Sequence, residues 1–499
     1  MINAHVQDPR ELAKRFGLIL MGEGAAVPCL SIVTDSRKAA PGVIFAAMAG
    51  TKVHGADYID QVYEAGSRVV LSDPQGALKI IAKYPDLCVL SAPNARLALA
   101  QIAKAFHPEA PGRIVAVTGT NGKTSTASFI RQIWEIMGLK AVNFGTAGVE
   151  GAVEAPSKLT TPDPITLHEL LANLSVQQVT HASMEASSHG LDQYRLDGVE
   201  LAVAGFTNLS RDHLDYHPSF GDYFAAKAML FDRVLPNNGV AVINVDDAFG
   251  QTMRLVAEGR GQRVILTGKS EMADLRLLDQ RFQEDGQSIK VSWNGEIYTS
   301  RLKLVGAFQA ENLLVAIGMI LADDEVVPQD VFNALPMLAS VRGRMQLAAT
   351  RENGAAVYVD FAHTPEALRT AITAIRPHVL GKLIVVFGAG GDRDKGKRPL
   401  MGQVATELAD IVYVTDDNPR SENPATIRAE IMVAAKGATE FGDRAEAILR
   451  AIDSAKTGDV VLIAGKGHET GQIVGDQVLP FDDVEQASIS VAALEGREI

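Results

Sequence analysis

Cysteine is almost absent from this chain, which contains only Cys29 and Cys88 among its 499 residues. Both lie in apolar surroundings without metal-site spacing, so we expect core thiols in a reducing cytosol. No apolar run reaches the roughly 20 residues that a membrane span needs. The first residues, MINAHVQDPRELAKRFG, lack the basic and apolar regions of a signal peptide. We therefore expect a cytoplasmic protein without membrane insertion.

Basic residues are also fewer than acidic ones: 47 Lys and Arg against 60 Asp and Glu give a formal net charge of −13. This negative charge argues against a broad surface that binds nucleic acid or an anionic membrane. Lysines and arginines within motifs are therefore more informative about binding sites. The apolar fraction of 47% and charged fraction of 21% are those of an ordinary globular protein. The length predicts about two to four domains, and we expect a monomer.

A glycine-rich motif is the most informative positive feature, at Ile114 to Thr126 (IVAVTGTNGKTST). A β-branched apolar run enters a loop with two glycines, and a helical pattern follows. A strand, glycine-rich turn and helix N-terminus can hold the phosphates of a nucleoside triphosphate. In such a loop Lys123 neutralises the β- and γ-phosphates, and the Thr124 hydroxyl can bind Mg²⁺.

Alternation of strands and helices continues after this motif and predicts an α/β fold with mainly parallel sheets. The pattern divides the chain into an N-terminal domain at 1–92, a central domain at 93–340 and a C-terminal domain at 341–499. The predicted strands are Val43 to Met48, Arg68 to Leu71, Leu87 to Leu90, Ala182 to Glu185, Leu201 to Phe206, Val240 to Asn244, Val357 to Asp360, Leu383 to Phe387, Ile411 to Thr415 and Val460 to Ala464.

Polar side chains follow two of the central strands. Glu185 ends one strand and is a candidate Mg²⁺ ligand, although a lone acid is more often solvated or a helix cap. His213 follows the next strand and is placed to reach the same edge. Lys227 lies in an apolar helical stretch, where it is either a surface lysine that extends to solvent or a lysine that faces the phosphates.

Three strand-end loops in the C-terminal domain combine cations with acceptors: GAGGDRDKGKRP, TDDNPRSENP and AGKGHET. The first contains Arg393, Lys395, Lys397 and Arg398 and is either an anion site or a solvated charged turn. In the second, the planar fork of Arg420 suits a carboxylate. The third offers the Gly465 carbonyl and the Glu469 carboxylate to an ammonium group. Such a set fits a zwitterionic amino acid.

The motifs VTGTNGKTST, MEASSHGLDQYR and FTNLSRDHLDYH, in this order, resemble the central domain of the Mur ligases, which build the peptide of peptidoglycan. The resemblance covers essentially the whole chain and implies a three-domain fold. In this fold the N-terminal domain binds the uridine nucleotide, the central domain is a phosphate-loop ATPase domain, and the C-terminal domain is Rossmann-like. The loop DDNPRSE resembles that of family members that add meso-2,6-diaminopimelate to UDP-N-acetylmuramoyl-L-alanyl-D-glutamate.

This resemblance also implies the functional residues. The catalytic positions are Lys123, Glu185, His213 and Lys227, and Lys227 would carry a carbamate. The ATP positions are Thr118, Gly119, Thr120, Asn121, Gly122, Lys123, Thr124, Asn312, Asp360 and His363. The UDP-substrate positions are Thr34, Ser36, Thr51, Lys52, Val53, Thr160, Thr161, Ser187, Gln193 and Arg195. The amino-acid positions are Arg393, Asp417, Asn418, Pro419, Arg420, Gly465 and Glu469. The Mg²⁺ ligands are Thr124, Glu185, His213 and the Lys227 carbamate.

Three alternatives stay open at this point. A lysine-adding ligase of the same family would differ mainly at Arg420. A folylpolyglutamate synthetase shares the phosphate loop, but the first domain and the DNPR loop argue against it. A non-catalytic protein that closes on ATP would not need Lys123, Glu185, His213 and Lys227 together.

Overall fold

The computed structural model describes residues 5–50, 53–146, 148–156, 159–210, 212, 216–283 and 286–497. The chain forms two compact units, Met1–Leu275 with Val315–Val327 and Arg276–Leu314 with Pro328–Ile499. None of the helices in these ranges is long and apolar enough to cross a membrane.

The first unit begins with a five-stranded sheet in the order β1-β5-β4-β3-β2. Neighbouring strands are parallel except for the antiparallel pair β1 and β5. Cys29 and Cys88 are free and buried in its core, as predicted. The elements are α1 Pro9–Phe16, β1 Ile19–Met21, β2 Ser31–Val33, β3 Val43–Ala47, α2 Ile59–Glu64, β4 Val69–Ser72, α3 Pro74–Lys83, β5 Cys88–Ser91 and α4 Ala95–Phe106.

A second sheet of this unit carries the glycine-rich loop. The strands of this sheet that lie wholly in the first unit follow the order β12-β11-β10-β6-β9-β7-β8 and are parallel except for the last pair. The elements are β6 Arg113–Thr118, α5 Lys123–Ile136, β7 Ala141–Gly145, β8 Gly148–Gly151, α6 Pro164–Val176, β9 His181–Glu185, α7 Ser188–Asp192, β10 Val203–Phe206, α8 Phe220–Met229, β11 Val240–Asn244, α9 Gly250–Gly259 and β12 Arg263–Gly268.

The second unit contains a six-stranded sheet in the order β16-β17-β21-β18-β19-β20. All neighbours are parallel except β16 and β17. The elements of this part of the chain are β13 Leu275–Gln283, β14 Gly286–Trp293, β15 Glu296–Leu302, α10 Ala307–Leu321, α11 Pro328–Ala334, β16 Gln346–Thr350, β17 Ala356–Asp360, α12 Pro365–Ile375, β18 Leu383–Phe387, α13 Lys397–Leu408, β19 Ile411–Val414, α14 Pro424–Met432, β20 Thr439–Glu440, α15 Arg444–Ser454, β21 Val460–Ala464, β22 Gly471–Val474, β23 Gln477–Pro480 and α16 Asp483–Leu494.

Local sequence explains many of these boundaries. Helices α1, α3, α6, α12 and α14 each begin with a capping side chain followed directly by proline. The cap accepts hydrogen bonds from the first free amides, and proline lacks an amide that would need a partner there. The parallel strands are continuous buried runs; all five residues of β18, for example, are buried. The predicted α/β architecture with parallel sheets is confirmed.

Candidate active site

The glycine-rich loop connects β6 to α5 at the centre of its sheet. Because β9 and β10 flank β6 in parallel register, the carboxyl ends of all three strands meet at one edge. Gly122 caps α5 with a φ of 86°, which places Lys123 in the first turn of the helix. A Cβ on Gly119 would lie 1.9 Å from Thr207 Oγ1, so only glycine fits there. The predicted strand, loop and helix are confirmed.

Residues after β10 anchor this loop. The Thr120 amide donates to the Asn208 carbonyl at 2.8 Å, and the Asn121 amide donates to Asn208 Oδ1 at 3.0 Å. Thr207 Oγ1 donates to the Asn121 carbonyl at 2.6 Å. The Thr120 and Tyr223 hydroxyls lie 3.1 Å apart. The loop conformation therefore depends on the residues that follow β10 and on α8.

Two lysine side chains converge on one carbonyl of the loop. Lys123 Nζ and Lys227 Nζ donate to the Gly119 carbonyl at 2.8 and 2.7 Å. Lys227 is only 1% exposed, and its Nζ lies 4.6 Å from the centre of the Tyr223 ring. Burial first, and then the charge of Lys123, hold the pKa of Lys227 well below its usual value. The interpretation of Lys227 as a surface lysine is therefore wrong.

The predicted Mg²⁺ ligands are only partly within the described residues. Glu185 ends β9, is 2% exposed and accepts a hydrogen bond from the Thr146 amide at 3.1 Å. Thr124 lies in the first turn of α5. His213 lies outside the described residues. Within those that are described, no three His, Cys, Asp or Glu side chains form a metal cluster. The oxygen donors present fit a hard cation that also binds phosphates, and the ligand set stays a prediction.

The structure brings together the residues predicted to contact the muramoyl-peptide part of the substrate. Thr161 Oγ1 lies 3.0 Å from Ser187 Oγ, which caps α7. Arg195 donates to the Thr161 carbonyl and to Gln193 Oε1, both at 2.8 Å. Thr160 Oγ1 lies 3.1 Å from Thr146 Oγ1. Thr161, Ser187, Gln193 and Arg195 therefore form one polar cluster beside β9, and Thr160 precedes it in the chain.

Two of the N-terminal residues predicted to contact the uridine nucleotide, Thr34 and Ser36, lie at a short helical turn. Asp35 caps a short helical turn at Ser36–Lys38. Ser36 Oγ donates to Gln61 at 3.1 Å, while Thr34 and Val53 are exposed. Thr51 and Lys52 lie outside the described residues.

The second unit contains the remaining residues predicted to contact ATP. Asp360 ends β17, is 9% exposed and accepts hydrogen bonds from the Met345 and Ala362 amides at 2.8 and 2.9 Å. Burial raises the pKa of the Asp360 carboxyl. His363 Nδ1 lies 2.8 Å from the Phe361 carbonyl oxygen. Asn312 is buried on α10, and its Nδ2 donates to Gln309 Oε1 at 3.4 Å.

The predicted amino-acid residues gather at the carboxyl ends of β18, β19 and β21. Asp417 and Asn418 are 6% and 4% exposed. Asn418 Nδ2 donates to Glu469 Oε2 at 2.8 Å. A Cβ on Gly465 would lie 2.8 Å from Asp417 Oδ2, so this strand end approaches the Asp417 carboxylate closely. Pro419 is buried beside them.

Arg420 is held at the edge of this cluster by backbone contacts. It has a φ of 51°, a strained conformation for a residue other than glycine. Its amide donates to the Ile473 carbonyl at 3.0 Å, and the Gly475 amide donates to its carbonyl at 2.8 Å. Nη1 donates to the Gly391 carbonyl at 2.9 Å. The guanidinium of this half-buried side chain thus has a fixed direction and neutral acceptors.

The basic loop before α13 is not uniformly available to an anion. Arg398 is fully buried and donates to Glu422 and Glu430, with the shortest contacts at 2.8 and 2.6 Å. Lys395 lies 3.3 Å from Glu422. Lys397 donates to the His363 carbonyl at 2.9 Å, and Arg393 is exposed. Arg398 is therefore neither a free cation of an anion site nor part of a solvated turn, and its assignment to either is wrong.

Sequence reasoning did not identify three residues of these clusters: Asn208, Tyr223 and Lys466. Lys466 is fully buried, and its Nζ contacts both Asn418 and Glu469. The sequence could have indicated Lys466, because a lysine between two glycines just after a buried strand is expected to have a restricted backbone and to lie at a strand-end site. Asn208 and Tyr223 had no comparable signal in one sequence.

Three family descriptions match successive parts of the chain: "Mur ligase family, catalytic domain" at 30–107, "Mur ligase middle domain" at 117–320 and "Mur ligase, glutamate ligase domain" at 343–467. The UDP-N-acetylmuramoyl-L-alanyl-D-glutamate–2,6-diaminopimelate ligase of Agrobacterium fabrum is 48% identical over 482 residues, or 96% of this chain and 97% of that protein. A solved structure with the same enzyme name has 32% identity and a TM-score of 0.73, and the match covers 98% of this chain and 100% of that one. The resemblance predicted from the motifs is confirmed.

A folylpolyglutamate synthase of Mycobacterium tuberculosis shares the fold with a TM-score of 0.60. Its sequence identity is only 16%, and the match covers 81% of this chain and 95% of that one. This likeness concerns the fold alone, and it does not favour the synthetase alternative.

Proposed function

Because the chain belongs to the Mur ligase family, we propose that it is an ATP-dependent amide ligase that joins meso-2,6-diaminopimelate to UDP-N-acetylmuramoyl-L-alanyl-D-glutamate. The enzyme name of the relatives supports this substrate pair. The observation that carries the proposal is a phosphate loop with Lys123 in one unit and a charged strand-end cluster around Arg420 in the other. The products are the amide, ADP and phosphate.

The proposed reaction has two steps. A carboxylate oxygen of the D-glutamyl γ-carboxylate attacks the γ-phosphorus of ATP, the bond to the β-phosphate oxygen breaks, and ADP leaves. The amine of diaminopimelate then attacks the acyl phosphate, loses a proton, and phosphate leaves as the amide forms. Lys123 and loop amides stabilise the negative charge that develops during phosphoryl transfer.

We assign Mg²⁺ to the same edge as part of this proposal. Its ligands would be the Glu185 carboxylate, the Thr124 hydroxyl, His213 and a carbamate on Lys227. Bound Mg²⁺ would neutralise charge on the transferring phosphates. The depressed pKa of Lys227 supports the carbamate, because only a neutral amine adds to carbon dioxide. Addition of carbon dioxide to the neutral amine forms a nitrogen–carbon bond and releases one proton, so the amine would become an anionic oxygen ligand.

The choice of amino acid rests on Arg420. Diaminopimelate has a distal carboxylate that lysine lacks, and the guanidinium fork suits that group. With lysine bound, the half-buried guanidinium would lose a charged partner that diaminopimelate provides. Asp417, Asn418, Gly465 and Glu469 would hold the zwitterion, and the exposed Arg393 would contribute a further cation.

The test is product identification with purified protein. ATP, UDP-N-acetylmuramoyl-L-alanyl-D-glutamate and either diaminopimelate or lysine are incubated with the enzyme, and the products are measured by mass spectrometry. We expect the diaminopimelate amide to form with a kcat/KM at least about 100-fold above that for lysine, the scale set by one unpaired charged group. Equal use of both amino acids would overturn the assignment of diaminopimelate, and no product with either would overturn the ligase proposal.

A further inference from the structure

Lys466 is a fully buried cation beside the proposed amino-acid pocket. It follows β21 and lies between Gly465 and Gly467, whose φ angles are 124° and 56°. Its side chain is 0% exposed. A Cβ on Gly467 would lie 2.7 Å from Phe361 Cβ, so close packing fixes the backbone next to Lys466.

The ammonium group of Lys466 contacts three acidic or amide side chains. Its Nζ donates to Asn418 Oδ1 at 3.1 Å and to Glu469 Oε2 at 3.2 Å. Asp417 Oδ1 lies 3.9 Å away. A buried ammonium is stable only with such partners.

These contacts determine the orientation of Asn418. Its Oδ1 accepts from Lys466 and also from the Ile473 amide at 2.9 Å, so its Nδ2 must point the other way. Nδ2 donates to Glu469 Oε2 at 2.8 Å. One oxygen of Glu469 therefore receives two donors from the protein. Among the described residues no hydrogen bond reaches the other oxygen, Oε1, and the Glu469 side chain is 35% exposed.

We infer that Lys466 is a positioning residue of the amino-acid pocket, an inference that rests on the proposed function. It locks Glu469 Oε2 and the Asn418 amide, which leaves Glu469 Oε1 as the acceptor for the substrate ammonium. Two carboxylates, Asp417 and Glu469, surround the ammonium of Lys466, so these three side chains together carry one net negative charge. That charge matches a single ammonium group of the amino acid.

A purely structural ion pair looks different in the same unit. Arg444 and Asp483 are both 0% exposed and form two hydrogen bonds at 2.8 and 2.7 Å. Their charges cancel, and neither side chain reaches solvent. Around Lys466, by contrast, two carboxylates face one ammonium group. One of them, Glu469, is accessible to solvent and can therefore receive a ligand.

The test measures steady-state kinetics of the full-length enzyme with Lys466→Met and Lys466→Gln. We expect the KM for diaminopimelate to rise about 10- to 100-fold, the scale of a lost charge-assisted contact. The KM values for ATP and the uridine nucleotide should stay within about twofold, because those ligands do not use this cluster. Arg376→Met, which removes a cation paired with Asp410 from the same unit, is the matched control and should leave all three KM values unchanged.

A double variant separates positioning from simple stabilisation. If Lys466 acts through Glu469, then Lys466→Met with Glu469→Gln should raise the KM for diaminopimelate little more than Glu469→Gln alone. Losses that multiply, or equal rises in all three KM values, would overturn the inference. An unchanged KM for diaminopimelate would do the same. Failure of the wild-type enzyme to use diaminopimelate would instead overturn the proposed function, so the two failures are distinguishable.

Discussion

A buried lysine with a single backbone acceptor lowers the free energy of unfolding, because its charge loses contact with water. Among the described residues the one hydrogen bond of Lys227 is to the Gly119 carbonyl, and the neighbouring Lys123 repels its charge. Asp212 favours the charged form but does not offset the burial. A buried cation that costs stability in this way fits the proposed role of Lys227 in the reaction.

The first prediction concerns stability and pH. The pKa of Lys227 is lowered in the folded protein from 10.5, so the unfolded chain binds more protons between the two pKa values. The free energy of unfolding therefore rises with pH across that interval and is lowest below it. In buffers free of carbon dioxide, Lys227→Met should have a higher Tm than the wild type near pH 7, and the difference should shrink toward about pH 10.

The measurement is thermal unfolding of both proteins across that pH range. The exposed Lys436→Met is the control, because loss of an exposed lysine should leave the Tm unchanged at every pH. A lower Tm for Lys227→Met at neutral pH would contradict the account.

Arg420 carries the second prediction. Arg420→Ala should raise the KM for diaminopimelate about 10- to 100-fold, since a charge-assisted contact to a carboxylate is lost. The Kd for ADP should not change, because ADP is assigned to Lys123 and its loop. Calorimetry for ADP and initial rates for diaminopimelate measure the two quantities. Equal losses for both ligands would refute the role of Arg420.

The third prediction concerns the element formed by β6, the glycine-rich loop and α5. In Gly119→Ala the new methyl group would collide with Thr207 Oγ1 and lie 3.1 Å from the Asn208 amide. The loop would have to move, so ADP binding should weaken at least about tenfold, the loss of one well-placed phosphate contact.

Gly138→Ala is the matched control at the other end of α5. Gly138 also has a positive φ, of 83°, but no atom lies within 4 Å of a Cβ there. That variant should lose about 1–2 kcal/mol of stability from backbone strain and keep its affinity for ADP. Calorimetric titration of both variants with ADP tests the contrast, and equal affinities would contradict it.

Helices α15 and α16 are joined by the buried pair of Arg444 and Asp483. Arg444 also donates to the carbonyls of Ala464 and Asp416, which follow or end two strands. Arg444→Met should lower the free energy of unfolding by about 3–5 kcal/mol, because it leaves Asp483 charged and buried without a partner. Arg444→Met with Asp483→Leu should recover most of that loss. Denaturant unfolding checks this fourth prediction, and an equally unstable double variant would count against it.

The type and approximate position of many strands and helices could be predicted from the sequence. Parallel strands are continuous buried β-branched runs, and their carboxyl ends carry the functional loops, so the positions of Glu185, Asp360 and Arg420 followed from the pattern. The partners of charged side chains did not follow. Arg398 appears in a basic run, yet Glu422 and Glu430 neutralise it from positions 24 and 32 residues away. Such long-range pairing depends on the packing of whole elements.

At the scale of the whole molecule, the two units contain different sets of the proposed site residues. The phosphate loop, Lys227 and the cluster around Thr161 belong to one unit, and Arg420, Lys466 and Glu469 belong to the other. Neither set contains both a phosphate site and an amino-acid site. The division into domains at 1–92, 93–340 and 341–499 stays a prediction, and three family matches fall in that order along the chain.

The most direct measurement is the stoichiometry of phosphate release and amide formation, with each substrate omitted in turn. The proposed mechanism predicts one phosphate for each amide when ATP, UDP-N-acetylmuramoyl-L-alanyl-D-glutamate and diaminopimelate are all present. It predicts negligible sustained phosphate release when any of them is missing. Sustained ATP hydrolysis without diaminopimelate, or phosphate release without amide, would contradict a ligase that uses both units in one reaction.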